Sequence, residues 1–350
     1  MYQNYKIVVN TAAGRGRYMQ YLIPYVISSE IVDRYDLWVN THNGADIEFF
    51  KRLASIYPKI NLVWQPDGWV NGNASINAFY KQCIDEKTIY FKLDDDIIWM
   101  EEGAIEKMVK FRVDNPQYFL VSPLVINNAQ STYLLQVCNK LKLNRYYNSA
   151  SDNSILWKSG DFASQLHQWF LKIIDNKTFN ELHLGSHPMA LCRFSINSIL
   201  WFGKDLAKIK GIVSGDDEEF MSCILPSRMG WTNCWNADVI LAHFAFYTQR
   251  EQLDKCSILE KYGKANFEYF KGNEVLFNIN EQVQKVMTSV KEDESQLMQN
   301  ISPYSNVNPE IPVIKDDWQD LKKMIPDPLK RFIKLFLKKS NDKIEKYILS

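Results

Sequence analysis

Strand-like and helix-like patterns alternate along the first 125 residues of this chain. Such alternation is typical of βαβ units, which build a largely parallel sheet with helices on its faces. Ligands of these sheets bind beyond the carboxyl ends of the strands. The sequence therefore predicts an α/β fold with a binding site at one edge of the sheet. The predicted strands are 5–9, 37–40, 61–65 and 88–93, and the predicted helices are 18–31, 46–57, 74–84 and 101–113.

Composition excludes several classes of protein. A chain of 350 residues with 46% hydrophobic residues is not generally disordered, and a formal net charge of zero gives no support to nucleic acid binding. The six cysteines form no C-x-x-C pair, so zinc or redox chemistry is not indicated. No secretion signal and no apolar run of about 20 residues is visible. We expect a cytoplasmic protein that is peripheral on the inner face of the cell membrane.

Three consecutive aspartates, Asp94, Asp95 and Asp96, follow the fourth predicted strand. Carboxylates at the end of a buried strand need a counter-charge, because an unpaired buried charge is costly. Carboxylate oxygens are preferred ligands of Mg²⁺ and Mn²⁺, which often serve phosphorylated ligands. A solvated acidic turn is the alternative interpretation.

Two further loops are candidates for donor binding. After the first strand, residues 11–17 (Thr-Ala-Ala-Gly-Arg-Gly-Arg) place Thr11, Arg15 and Arg17 where arginine forks could reach phosphate oxygens. After the third strand, Asn73 and Asn77 lie in a segment of small and amide residues that can approach a ligand closely. Helix capping would explain these asparagines equally well.

A second acidic cluster, residues 214–220 (Ser-Gly-Asp-Asp-Glu-Glu-Phe), opens a predicted helix. The helix dipole favours negative charge there, but four carboxylates exceed what capping requires. Asp217, with its neighbour Asp216, is therefore a candidate general base. His243 ends a later apolar strand and is either a structural residue or a ligand for a manganese-like ion.

Together these features resemble the GT-A class of nucleotide-sugar-dependent glycosyltransferases, over roughly residues 4–250. The resemblance is closest to bacterial family-2-like enzymes that build surface polysaccharides. The resemblance implies a Rossmann-like, mostly parallel sheet flanked by helices. It also implies a nucleotide-sugar donor, with UDP favoured, a glycan or lipid-linked glycan acceptor, and bound Mn²⁺ or Mg²⁺.

The resemblance further assigns roles to individual residues. Asp94 and Asp96 match the D-x-D pair, one facing the ribose and the other the metal, and His243 matches a metal-binding histidine of some members. Asp217 matches the base of inverting members. Two departures are visible: the first strand lacks the usual proline-aromatic-asparagine turn, and 120 residues separate Asp96 from Asp216.

The domain organisation follows from shifts in composition. Residues 1–250 are predicted to form the catalytic domain, in which 130–188 are an inserted acceptor lobe rich in aromatic and amide residues. We expect a helical extension at 251–299, a Pro, Ser and Asn-rich linker at 300–312 and basic amphipathic helices at 313–350. The apolar stripe and basic face of 328–346 could contact an anionic membrane surface or dock on the protein itself.

Several functions remain open at this point. The favoured function is inverting sugar transfer. A retaining transferase, or a nucleotidyl- or phosphotransferase, could use the same acidic residues. A glycan-binding scaffold with a degenerate transferase fold is the non-enzymatic alternative.

Overall fold

One nine-stranded sheet runs through the computed structural model of the protein, which describes residues 1–189, 192–298, 328–329 and 347–348. The strands are paired in the order β3-β2-β1-β4-β8-β6-β9-β5, and β7 pairs with β9. In the row β3-β2-β1-β4, neighbouring strands pair in parallel. Strand β8 is antiparallel to both β4 and β6, and β9 is parallel to β6. The strands are β1 (Lys6–Ala13), β2 (Arg34–Val39), β3 (Ile60–Trp64), β4 (Thr88–Leu93), β5 (Ile97–Met100), β6 (Tyr118–Ile126), β7 (Ser186–Met189), β8 (Ser198–Phe202) and β9 (Thr232–His243).

Helices cover both faces of this sheet. On one face, α1, α2 and α13 pack together through apolar residues such as Met19, Phe50 and Met287. On the other face, Phe79, Trp201 and Met221 belong to a separate buried cluster. The helices are α1 (Gly16–Ser28), α2 (Gly44–Ile56), α3 (Asn77–Tyr80), α4 (Ala104–Asp114), α5 (Ala129–Val137), α6 (Ser154–Lys158), α7 (Gly160–Asp175), α8 (Gly203–Ala207), α9 (Asp217–Glu219), α10 (Leu225–Met229), α11 (Arg250–Lys255), α12 (Ile258–Phe270), α13 (Glu274–Glu292) and α14 (Glu294–Leu297).

The strand directions place the functional loops at one edge of the sheet. Strands β1, β2, β4, β6 and β9 all end there, and the antiparallel strand β8 begins there. The loop after β4 carries the three aspartates, and β9 ends at His243. Two segments that are 150 residues apart in sequence therefore meet at this edge.

The predicted α/β fold is confirmed, with local differences. The helix predicted at 74–84 is a 3₁₀ turn (Gly72–Ser75) followed by the short α3, and strand β5 directly after the aspartates was not predicted. Four apolar residues are too few to show a period, so Ile97–Met100 carried no clear strand signal. The 130–188 region holds the 16-residue helix α7, which the loosened pattern did not reveal. The domain boundaries remain predictions.

The C-terminal predictions lie almost wholly outside the described residues. This applies to the 300–312 linker and to nearly all of the 313–350 helices, so membrane contact through 328–346 remains a prediction. Among the residues that are described, Tyr347 receives a hydrogen bond at its carbonyl from the Asn144 amide and packs its ring 5.5 Å from that of Phe162. Within the described ranges, no helix has the length and apolarity needed to cross a bilayer.

Gly203 offers a direct test of the packing between β8 and the loop before β4. A Cβ at this position would lie 2.0 Å from the carbonyl oxygen of Asp85 and 2.8 Å from the ring of Tyr90. Because one of these atoms belongs to the backbone, we expect Gly203→Ala to lower the free energy of unfolding by about 1–3 kcal/mol in urea titration. The matched control is Gly272→Ala, whose Cβ would meet nothing closer than 3.7 Å. Equal unfolding midpoints for the two variants would contradict this packing.

Candidate functional site

A cleft of about 740 Å³ lies at the edge where these strands end. Its walls are built by the loops after β1, β2, β4 and β9, by the segment before α9 and by α6. Both acidic clusters of the sequence therefore reach the same cavity. The predicted site residues in its wall are Arg15, Asn73, Asp94, Asp95, Asp96, Asp216, Asp217 and His243.

Asp95 is held by the loop that opens α1. Arg15 contacts both of its carboxylate oxygens, and the backbone amide of Gly14 donates a further hydrogen bond at 3.1 Å. The side chain of Asp95 is only 5% exposed. Burial raises the pKa of Asp95, and the Arg15 guanidinium opposes this effect. Asp95 thus fixes the position of Arg15 in the cleft.

Asp96 is the meeting point of three cationic side chains. It accepts a hydrogen bond from Arg15 at 2.9 Å, lies 3.3 Å from Nε2 of His243 and lies 4.0 Å from Arg250. Burial disfavours its charge, but Arg15, His243 and Arg250 outweigh burial and hold the pKa of Asp96 well below its usual range. The same pairing outweighs the burial of His243 and raises its pKa. Asp96 is therefore ionised at neutral pH.

Asp94 faces a different set of partners. The buried Lys92 donates to one carboxylate oxygen and also to the carbonyl of Ile196 at 3.1 Å. The side-chain amide of Asn197 donates to the other oxygen at 3.0 Å. Lys92, only 3% exposed, supplies the counter-charge that this end of the acidic run requires.

Asp216 and Asp217 differ in environment. Asp216 is half exposed, caps α9 by accepting from the Glu219 amide and pairs with Arg193 at 3.1 Å. Asp217 is partly buried in the wall of the cleft, where the hydroxyl of Tyr80 donates to it at 3.1 Å. Burial raises the pKa of Asp217, partly offset by Lys92. A raised carboxylate pKa suits a group that must take up a proton during a reaction.

Asp96 and His243 are the residues that would hold a divalent cation, and to ligate it His243 has to be neutral, although its pairing with Asp96 favours the protonated form. Nδ1 of His243 lies 3.3 Å from the carbonyl oxygen of Asn127, so its proton can be donated there and Nε2 left facing Asp96. Two ligands at about 2.1 Å from one ion, at right angles, lie about 3 Å apart, close to the observed 3.3 Å between Nε2 and Oδ1. Asp94 is already paired with Lys92 and Asn197, and its role as a metal ligand remains a prediction. Within the described ranges, no group of three or more His, Cys, Asp or Glu side chains is arranged so that it could hold one metal ion.

The cleft also presents buried polar atoms that lack a partner among the described residues. They include Nη1 of Arg15, Nε of Arg250 and Oδ1 of Asn197. Two of these are cationic donors beside Asp96, and the third is an acceptor beside Asp94. A buried polar group without a partner is costly, so each of these atoms is suited to a ligand.

Three of the predicted donor-binding residues do not line the cleft. Thr11 is fully buried in β1, and its hydroxyl lies 3.0 Å from that of Tyr35. Arg17 pairs with Asp254 on the surface. Asn77 donates to the carbonyl of Gly215 and so braces the loop before Asp216.

Several cleft residues were missed at the level of sequence. Lys92 is the penultimate residue of the apolar strand β4, which is a signal for an internal ion pair with the aspartates that follow. Asn197 and Arg250 carried no comparable signal, since their positions depend on how β8 and β9 enter the sheet. Among the aromatic residues of the predicted 130–188 lobe, Trp157 lines the cleft.

Comparisons with known proteins give remote structural likeness only. No family model and no curated protein sequence matches this chain. Among solved structures, 4-diphosphocytidyl-2C-methyl-D-erythritol synthase from Anaerococcus prevotii is 10% identical with a TM-score of 0.40, covering 75% of this chain and 98% of that one. A CMP:2-keto-3-deoxy-manno-octonic acid synthetase complexed with CTP is 10% identical with a TM-score of 0.39, covering 74% and 98%. A mycobacterial protein is 9% identical with a TM-score of 0.40, covering 75% and 76%.

A likeness at this level concerns the path of the chain and not its chemistry.

Proposed function

We propose that this protein is a metal-dependent glycosyltransferase that moves a sugar from a nucleotide-sugar, with UDP-sugars favoured, to a glycan or lipid-linked glycan. One observation carries the proposal: the aspartates after β4 and the acidic cluster before α9 line the same cleft. Sugar transfer needs a site for a charged leaving group and a carboxylate for the acceptor hydroxyl. The cleft supplies both kinds of group.

The leaving-group side is formed by Arg15, Arg250, Asp96 and His243. The unpartnered Nη1 of Arg15 and Nε of Arg250 are cationic donors that can bind diphosphate oxygens. Asp96 and His243 would hold the metal. When bound, Mn²⁺ or Mg²⁺ supplies positive charge that stabilises the departing nucleoside diphosphate.

The base is Asp217. Its carboxylate is positioned by Tyr80 and lies in the same cleft as Asp94. For an inverting reaction Asp217 accepts the proton of the acceptor hydroxyl as the new glycosidic bond forms and the bond to the diphosphate breaks. In a retaining enzyme on the same fold Asp217 would have another role, and the anomeric configuration of the product distinguishes the two.

Nucleotidyl transfer is the second candidate, favoured by the arginine-rich loop at the start of α1. In such a reaction a glycine-rich loop would have to offer free backbone amides to a triphosphate. Here the amide of Gly14 donates to Asp95 and the amide of Gly16 donates to Asp46 at 2.7 Å. Two amides of the loop are therefore already used within the protein, so a triphosphate bound there would have to displace these carboxylates.

A donor screen by thermal shift tests the proposal. With Mn²⁺ present, one nucleotide-sugar should raise the unfolding temperature more than its nucleoside monophosphate, since a ligand at 100 times its Kd stabilises by about 2.7 kcal/mol. Removal of the metal with a chelator should reduce the shift. Binding of sugar polymers without metal, and no shift with any nucleotide-sugar, would favour the glycan-binding scaffold instead.

A further inference from the structure

Two aromatic side chains form a wall at one end of the cleft. Trp157 of α6 and Tyr247, four residues beyond β9, both line it, with ring centroids 5.1 Å apart and planes at 85°. Tyr247 is 66% exposed, although it is a large aromatic residue. The next ring inward is Phe246, whose centroid lies 4.9 Å from that of His243. The wall therefore runs from the proposed metal ligand to the mouth of the cleft.

The backbone around the wall is fixed, although the rings are open to the cleft. The hydroxyl of Thr248 donates to the carbonyl of Trp157 at 2.6 Å, and the side chain of Gln249 donates to the carbonyl of Leu156 at 2.9 Å. Gly160 permits the close approach of these two segments, because a Cβ at residue 160 would lie 2.4 Å from the side chain of Gln252. The inserted lobe and the segment after β9 thus present the two rings as the two sides of one preformed corner.

The opposite side of the cleft is built on other strands. That side follows β2, where the amide of Asn40 donates to the carbonyl of Gly72 and its Oδ1 accepts from the hydroxyl of Ser75. Strands β1, β4, β8 and β6 lie between β2 and β9 in the sheet. The amide-rich end suits the hydrogen-bonding groups of a nucleoside, and Arg15 and Asp96 lie between the two ends.

We infer that Trp157 and Tyr247 bind the pyranose ring of the acceptor. This inference rests on the proposed function and specifies which part of the cleft takes which substrate. The apolar faces of a pyranose pack on aromatic rings, and its hydroxyls remain free for polar groups of the site. An acceptor seated on the wall enters from solvent past Tyr247 without displacing the nucleotide. The wall is therefore a determinant of acceptor specificity.

Saturation-transfer NMR on the full chain tests this inference without requiring turnover. The probes are methyl β-glucoside, methyl β-galactoside and methyl N-acetyl-β-glucosaminide, with Mn²⁺ omitted to avoid broadening. We expect saturation of sugar-ring protons for the wild type, and Tyr247→Ala should weaken the Kd of the glycoside about tenfold. Tyr247→Phe is the matched control, which keeps the ring and should bind like the wild type. Trp157→Leu should weaken binding as Tyr247→Ala does.

Donor binding, followed by thermal shift with the nucleotide-sugar panel, separates this inference from the proposed function. The expected result is an unchanged donor shift in Tyr247→Ala. No saturation for any glycoside in the wild type, equal saturation in Tyr247→Ala, or a donor shift lost in that variant would overturn the inference. If the protein binds glycosides but no nucleotide-sugar raises its unfolding temperature, the role of the aromatic wall stands and the proposed transferase function is wrong.

Discussion

Asp217→Asn should lower the turnover of sugar transfer about 10²- to 10⁴-fold, the usual contribution of a general base. Asparagine keeps the size of the side chain and can still accept the hydrogen bond from Tyr80, but it cannot take up a proton. Steady-state rates at saturating donor and acceptor measure the effect. The KM of the donor should change little, because Arg15, Asp96 and Arg250 stay in place.

The same substitution should leave the protein at least as stable as the wild type at pH 8. Burial raises the pKa of Asp217, so the ionised carboxylate is disfavoured in the folded state. Above that pKa the wild type bears this cost and Asp217→Asn does not. As the pH falls through the pKa of Asp217, the wild type takes up a proton and the difference in unfolding temperature should shrink.

Asp216→Asn is the control for the assignment of the base. Asparagine is also a good helix N-cap, so α9 should keep its first hydrogen bond. Asp216 is half exposed, and the pair with Arg193 lies at the surface. We expect nearly normal turnover from this variant. A loss of turnover in Asp216→Asn with normal turnover in Asp217→Asn would exchange the roles of the two residues.

Asp96→Ala should lower the free energy of unfolding and abolish metal binding. Loss of this carboxylate leaves Arg15 with Asp95 alone and leaves the buried His243 without its counter-charge. Breaking a buried ion pair on one side costs about 3–5 kcal/mol, and the partial exposure of Arg15 and Arg250 places the expected loss near 3 kcal/mol. Urea unfolding measures the loss of stability, and Mn²⁺ electron paramagnetic resonance in the presence of nucleotide measures binding of the ion.

Glu251→Ala serves as the reference for Asp96→Ala. Glu251 is also paired with a cation, Lys255, but both side chains are exposed on α11. Exposed pairs contribute little, so the unfolding midpoint and Mn²⁺ binding should stay those of the wild type. If Asp96→Ala behaved like Glu251→Ala in both measurements, Asp96 would be neither the anchor of the cations nor a metal ligand.

The fold was largely accessible from sequence, because alternating strand and helix periods determine a parallel sheet and the edge where its loops gather. Asp94 to Asp96 could be placed at that edge for the same reason. What sequence could not provide is the pairing of charges. Three aspartates suggested a missing cation, whereas Lys92, Arg15 and Arg250 supply cations from the chain itself.

The residues missed or misplaced have two physical causes. Arg250, Asn197 and Tyr247 reach the cleft through the positions of β8 and β9, which are long-range contacts without a local periodic signal. Thr11 was predicted to bind the donor from its position after the first strand. The strand instead continues to Ala13, so Thr11 points into the sheet toward Tyr35.

Identification of the reaction products tests the central claim most directly. The protein is incubated with the stabilising nucleotide-sugar, a glycoside acceptor and Mn²⁺, and the nucleotides are separated by anion-exchange chromatography. Sugar transfer predicts release of a nucleoside diphosphate in equal amount to the new glycoside, and its loss in Asp217→Asn. Formation of pyrophosphate and a nucleotide-sugar from a nucleoside triphosphate and a sugar phosphate, with no nucleoside diphosphate released, would contradict it.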